Sequence, residues 1–220
     1  MLQNYKKNLE KSKEKIINLA QDIYDAFKLS FDGFETLDAT KSNDAKKMLK
    51  DINNRANKID NEIIKTLALF SPEASDLRVL ISYLKITNEL SRIGDYVRTH
   101  TKTIKVQIAN ELDISVLKQN ATAFHQSTLK SLQATIESLD ANEDSIDMIY
   151  RKVNVEESKC DDIFSILEKN ILEQICSLPE HAGEYIMFLN SLRKLERISD
   201  RSVTIVKLNY FALKGGKIRL

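Results

Sequence analysis

Apolar and small residues recur at alternating spacings of three and four through the first thirty positions, at Leu2, Tyr5, Leu9, Ser12, Ile16, Leu19, Ile23 and Ala26, with Lys, Glu and Asn between them. That spacing predicts one amphipathic helix from Met1 to about Phe31. At a rise of about 1.5 Å per residue it exceeds about 40 Å, so its apolar face needs partner helices of similar length. Phe31, Asp32, Gly33 and Phe34 begin the first turn region. A second helical run extends from about Asp44 to Phe70 and stops at Ser71, Pro72 and Glu73, because proline disfavours helix in the residue before it. Ser75 is placed to cap a third helix carrying Leu77, Leu80, Leu84, Ile86, Leu90, Ile93 and Val97. Asp76 falls in its first turn, where a carboxylate favours the positive end of the macrodipole.

The same order then recurs. A helix is predicted from about Ser115 to Leu139, followed by a loop at 140–144, a long helix to about Ser177, the break Leu178, Pro179, Glu180, and a last helix to about Leu213, closed by Gly215 and Gly216. The stretch ELSRIGDYVRTHTKTI at 89–104 pairs with KLERISDRSVTIVKL at 194–208, and SPE at 71–73 with LPE at 178–180, about half a chain apart. Two copies of a three-helix unit, spanning 1–110 and 111–220 and joined near Asn110 to Ser115, are the simplest account of such a period. The fold class expected is therefore all-α, a tandem pair of three-helix bundles with long antiparallel helices, trailed by a short frayed tail, GGKIRL.

Composition narrows the picture. Five Gly and two Pro in 220 residues argue against an all-β protein and against glycine-rich phosphate loops. With 33 basic and 32 acidic residues the net charge is +1, so no whole-protein field draws in nucleic acid or an anionic membrane. The lysines at Lys6, Lys7, Lys11 to Lys15, Lys46 and Lys47 are interleaved with polar and acidic residues and read as solvated helix faces. Two cysteines make no disulfide framework, the N-terminus has no apolar segment of signal-peptide type, and no apolar run is long enough to span a bilayer. A cytoplasmic protein without direct membrane insertion is expected. Nucleotide-loop, hydrolase-elbow and Cys-x-x-Cys patterns are missing, so neither an enzyme nor an organic cofactor is indicated. His100, His125 and His181 are scattered, none three residues after a Glu, and are read as surface residues, with His100 near a motif helix. Cys160 reads as a small core residue.

The segment LALFSPEASDLRVLISYLKITNELSRIGDYV at 67–97 closely resembles the PhoU family of phosphate-signalling proteins. The family's Pro-x-Ala-x-Asp-Leu-Arg start to a helix is matched by Pro72, Ala74, Asp76, Leu77 and Arg78, and its Leu-Glu-Arg-Ile-Gly-Asp run by LSRIGD at 90–95 and LERISD at 195–200. The resemblance spans the chain, since the family is a tandem of two three-helix bundles. It implies bound metal ions on a bundle face through Glu/Asp-x-x-x-Asp motifs.

Helix geometry supports such chemistry in the second half. Residues i and i+4 share a face, so Glu196 and Asp200 present two carboxylates to one point and Glu157 and Asp161 do likewise on the preceding helix. If the two helices are antiparallel neighbours, four carboxylates converge and suit iron, manganese, magnesium or zinc. In the first half, Ser91 stands where Glu196 does, and Asn57 and Asn61 match Glu157 and Asp161. This leaves Asp95, with Glu89 six residues away, as a weaker candidate pair. Two other readings stay open: such pairs are common on solvated helix faces, and Arg92 or Arg197 could neutralise Asp95 or Glu196 in place of an ion. Gly94 and Ser199 hold matching positions inside long helices, where a small side chain points to close helix approach or to clearance for a ligand.

The resemblance implies a regulatory adaptor of phosphate homeostasis. Such a protein contacts the ATPase subunit of a phosphate ABC transporter and a sensor histidine kinase, negatively regulates uptake and starvation signalling, and forms a homodimer. An accessory regulator of another phosphate permease, a metal-handling carboxylate bundle, and a helical interaction module without metal are the alternatives.

Overall fold

The structure is a computed structural model that describes residues 2–110 and 112–216. Residues 1, 111 and 217–220, most of the expected tail among them, lie outside the described residues, as does the side chain of Leu2. Among the described residues the chain forms helices α1 (Leu2–Thr36), α2 (Ala39–Met48), α3 (Ile52–Phe70), α4 (Ala74–Ala109), α5 (Ser115–Asp140), α6 (Ile146–Ser177) and α7 (Ala182–Lys214), a 3-10 turn at Pro179–His181, and no strand.

The long helices follow the apolar periodicity, and the differences lie where local chemistry overrides it. Helix α1 runs past Gly33 to Thr36 and turns at Leu37, which has a positive φ of 54°. The chain then folds back so tightly that a Cβ on Gly33 would stand 3.0 Å from the carbonyl of Asp38, and glycine relieves that approach. Asp38 caps α2 by accepting from the Thr40 amide at 2.8 Å, which starts the second run earlier than its apolar pattern indicates. A turn at 49–51 splits that run, so the first half carries α2 and α3 where the second carries the unbroken α6. Ser71 closes α3 in the left-handed region, and the flanking residue of α4 is Glu73 rather than Ser75, with Asp76 in the first turn as expected.

Cross-helix pairs give the directions. Lys15 meets Glu62 and Asp22 meets Arg55, so α1 and α3 are antiparallel; Asp60 meets Thr87 and Asn53 meets Asp95, so α3 and α4 are too. In the second half Glu137 pairs with Lys152 and Ser127 with Glu156, Glu168 pairs with Arg193 and Asp147 with Lys214, making α6 antiparallel to both α5 and α7. Each half is thus an up-down-up bundle. The halves join through α4 against α7, the most extensive helix contact in the chain, and through α1 against α5. Helices α1, α4, α5 and α7 form a central layer, flanked by α2 and α3 on one side and α6 on the other. One apolar cluster runs from Tyr5 and Ile23 through Ile93 and Phe124 to Leu192 and Leu208, continuous across both halves.

At the centre of that cluster His100 and His125 are fully buried, which corrects the surface reading of both; only His181 is exposed. The Nδ1 of His125 donates to the Ala121 carbonyl at 2.7 Å, so its Nε2 accepts from His100 Nε2 at 2.9 Å, and His100 Nδ1 accepts from the Ser191 hydroxyl at 2.6 Å. Phe27, Phe31 and Phe34 of α1 stack on the His125 ring. Helices α4, α5 and α7 therefore share one polar chain, and α1 covers it with its phenyl rings. Burial holds His100 well below the usual imidazole range, helped by the neighbouring His125, and lowers His125 to about 4.

Close approach accounts for the small motif residues. A Cβ on Gly94 would lie 2.8 Å from the Cγ2 of Ile52, and Ser199 is buried against the Ser131 hydroxyl at 3.0 Å. Arg78 of the shared helix start reaches the far half: its Nε donates to the Ala212 carbonyl at 3.3 Å and its guanidinium lies over the Phe211 ring, capping the carbonyl end of α7 with a positive charge.

Two outcomes are expected. Because both imidazoles charge less readily folded than unfolded, the unfolded chain takes up protons first. The stability they confer is full above about pH 6.5 and is lost as pH falls toward about 4. Urea unfolding followed by circular dichroism should show a lower midpoint at pH 5 than at pH 7, and His100→Leu with His125→Leu should flatten that difference. Arg78→Ala should cost about 1 kcal/mol in the same assay, since it removes a charged donor from a helix end.

Candidate functional site

On α6 the buried positions Val153, Glu156, Cys160, Phe164 and Leu167 face the core, which leaves Glu157 and Asp161 one step round the helix at its edge. On α7 the buried Leu195, Ile198, Ser199 and Ser202 leave Glu196 and Asp200 at the facing edge. Antiparallel packing brings the two edges together. Carboxylate oxygens of Glu157, Asp161 and Asp200 lie within 4.8 Å of one another. Glu196 stands close enough to feel Asp200 and Asp161.

None of the four is held in an ion pair among the described residues. All four carboxyls are pushed above the usual range, first by partial desolvation between the helices and then by neighbouring acids: Asp161 and Asp200 on Glu157, Asp162 on Asp161, Asp200 and Asp161 on Glu196, and Asp161 on Asp200. Lys207 near Glu157, Arg193 near Glu196, Arg201 near Asp200, and Arg197 near both Glu196 and Asp200 offset only part of this repulsion. Three mutually close oxygens fit one hard cation, for which ligand distances of about 2.0–2.6 Å are usual. The donors are all oxygen, since Cys160 is buried and turned to the Thr128 hydroxyl at 3.8 Å, and the two buried histidines lie in the central layer.

The first half is different. The Ser91 hydroxyl donates to the Asn53 Oδ1 at 2.9 Å, and Asn53 Nδ2 donates to Asp95 at 3.3 Å. The buried residues Ile52, Ala56 and Ile63 of α3 follow the phase of Glu156, Cys160 and Leu167 in α6, so Asn53 and Asn57 stand in the places of Glu157 and Asp161. That corrects the match to Asn57 and Asn61, and the phase of the apolar stripe is the signal that would have found it. Asp95 pairs with Arg98 at 2.6 Å, not with Arg92. Glu89 points away from it into the contact between halves, where it pairs with Arg201 of α7 beside the Tyr96 hydroxyl. Each of these two acids already holds an arginine, and the structure does not bring them together as ligands.

At neutral pH the repulsion in the α6–α7 cluster opposes folding, because its carboxyls give up protons less readily folded than unfolded. Asp200→Asn is therefore expected to raise the thermal midpoint of EDTA-treated protein by about 2 °C or more. Added Mn2+ should raise the midpoint of the unmodified chain and leave Asp161→Asn with Asp200→Asn unmoved, as read by differential scanning calorimetry.

Comparison with known proteins bears on the family and the fold. The family profile described as the PhoU domain matches residues 16–101, from within α1 to within α4. An uncharacterised protein of Mycoplasma genitalium is 28% identical over 96% of both chains. A Clostridium acetobutylicum homologue of the phosphate-specific transport system accessory protein PhoU is 26% identical over 89% of both. The crystal structure of PhoU from Pseudomonas aeruginosa superposes with a TM-score of 0.87, at 19% identity, over 96% of this chain and 100% of that one, a likeness of fold. The PhoU domain match over residues 16–101, the relatives named PhoU and the shared fold together support the PhoU family for this chain.

Proposed function

We propose that this protein is an accessory protein of a phosphate transport system that restrains phosphate uptake and phosphate-starvation signalling when phosphate is plentiful. The observation that carries the reading is the alignment of nearly the whole chain with relatives named as phosphate-specific transport accessory proteins, over 89% of their length in one case and 88% in another. No helix among the described residues is long and apolar enough to cross a membrane, so action on a transporter goes through a docked partner. Helices of 32 to 36 residues supply extended faces for such docking. The partners proposed are the ATPase subunit of a phosphate ABC transporter, a sensor histidine kinase and a second copy of the chain. Glu157, Asp161, Glu196 and Asp200 are proposed to hold a divalent or trivalent ion, whose charge would relieve the repulsion between α6 and α7. The protein's own residues carry no catalytic step in this reading.

The test is a phosphate-starvation reporter in cells with and without the gene. Deletion should switch the reporter on in phosphate-rich medium, and the intact gene should restore silence. A reporter that stays silent, with radiolabelled phosphate uptake unchanged, would overturn the proposal; a silent reporter with altered uptake would point to control of another phosphate permease.

A further inference from the structure

Helices α2 and α4 enclose a trough on the flank opposite α6. Its two adjacent lobes, which share Asn43 and Lys46, have volumes of about 560 Å³ and about 360 Å³. Lys46, Lys47 and Lys50 line one wall and Arg98, Lys102 and Lys105 the other. The spacing explains the convergence. Lys46 and Lys47 lie in the last turn of α2 and Lys50 in the turn that follows it, and Arg98, Lys102 and Lys105 follow at i, i+4 and i+7 on α4, a row about 10 Å long. Asp44 pairs with Lys47 at 2.8 Å and Asp95 with Arg98 at 2.6 Å. The ammonium groups of Lys46, Lys50, Lys102 and Lys105 have no carboxylate partner among the described residues.

Ser42, on the floor of the smaller lobe, is 1% exposed and packs its hydroxyl beside Gly33 of α1, which leaves the cations of the two walls and the neighbouring Asn43 to meet a ligand.

We infer that this trough binds an anion made of linked phosphate groups. One orthophosphate meets the amines at one end only, whereas a short chain of phosphates meets both walls along the row. The volume suits a small molecule. No aromatic side chain lines either lobe, so there is no platform on which a nucleobase could stack, and recognition falls on the phosphates alone. The concave shape and the shortness of the row separate the site from a flat basic face that tracks a nucleic acid. It lies apart from the α6–α7 carboxylates and does not depend on the role proposed above.

The full chain, treated with EDTA so that no cation can bridge phosphate to the carboxylate cluster, is titrated calorimetrically with inorganic tripolyphosphate, ATP and orthophosphate. Tripolyphosphate should bind, ATP no more tightly, and orthophosphate far more weakly. Lys46→Gln with Lys102→Gln should weaken tripolyphosphate binding by about tenfold or more, the loss expected for two charged contacts, and Lys50→Gln with Lys105→Gln should do the same. Lys6→Gln with Lys7→Gln, on an exposed face of α1, should leave it unchanged. Circular dichroism checks that each variant is folded. Absence of tripolyphosphate binding to the unmodified chain, equal affinity in both folded trough variants, or equal loss in the α1 control would overturn the assignment. Tighter binding of ATP than of tripolyphosphate would overturn recognition by phosphates alone.

Discussion

The contact of α4 with α7 is the constraint on which the rest of the molecule depends, and its hardest point is His100, bonded to Ser191 of α7 on one side and to His125 of α5 on the other. Two imidazoles in an apolar core are tolerable only if each ring nitrogen has a partner, and the three available partners, the Ala121 carbonyl, the Ser191 hydroxyl and the other ring, come from α5 and α7 as well as α4. That requirement fixes the axial register of the halves. A slip of one residue along α4 would leave a buried nitrogen unpaired. Farther along the same contact, the Glu89 to Arg201 pair and the Arg78 cap on Ala212 agree with that register, so polar groups decide the alignment while the apolar cluster supplies most of the cohesion.

With the register fixed, the edges of α6 and α7 follow. Their carboxylates face each other because the core stripes beside them do, and the cluster carries a repulsion that the surrounding arginines only partly offset. The equivalent place in the first half is settled by a neutral relay from Ser91 through Asn53 to Asp95, with Arg98 as counter-charge. Two related constructions thus have opposite electrostatic characters, one under tension and one satisfied.

Much of this was legible in the chain. The three-and-four spacing of Tyr5, Ile16, Leu19 and Ile23 gave α1, and all four are buried. The Glu-x-x-x-Asp pairs of the second half pointed to a shared face because helical geometry admits little else. The misreadings have physical causes. Scatter along the chain reads His100 and His125 as surface residues, although His100 continues the stripe of Ile93, Val97 and Ile104, and a polar side chain in an apolar stripe is a buried one whose partner lies elsewhere in the chain. Similarity between the motif copies along the sequence does not find Asn53, because the side chains meet according to helix phase. The break between α2 and α3 has no proline or glycine to announce it, and α1 outruns its expected end because Gly33 serves the close return of the chain and not the end of the helix.

That break has a consequence for symmetry. Dividing the middle helix of one half into two pieces leaves a molecule with internal duplication but no true two-fold equivalence: one flank is a segmented pair of helices bearing unpaired lysines, the other a single unbroken rod beside unpaired carboxylates. The central helices pair antiparallel across the halves, α4 with α7 and α1 with α5, while the flanks differ in charge. The body therefore has a direction, and a partner matched in charge to one flank would meet the wrong sign on the other.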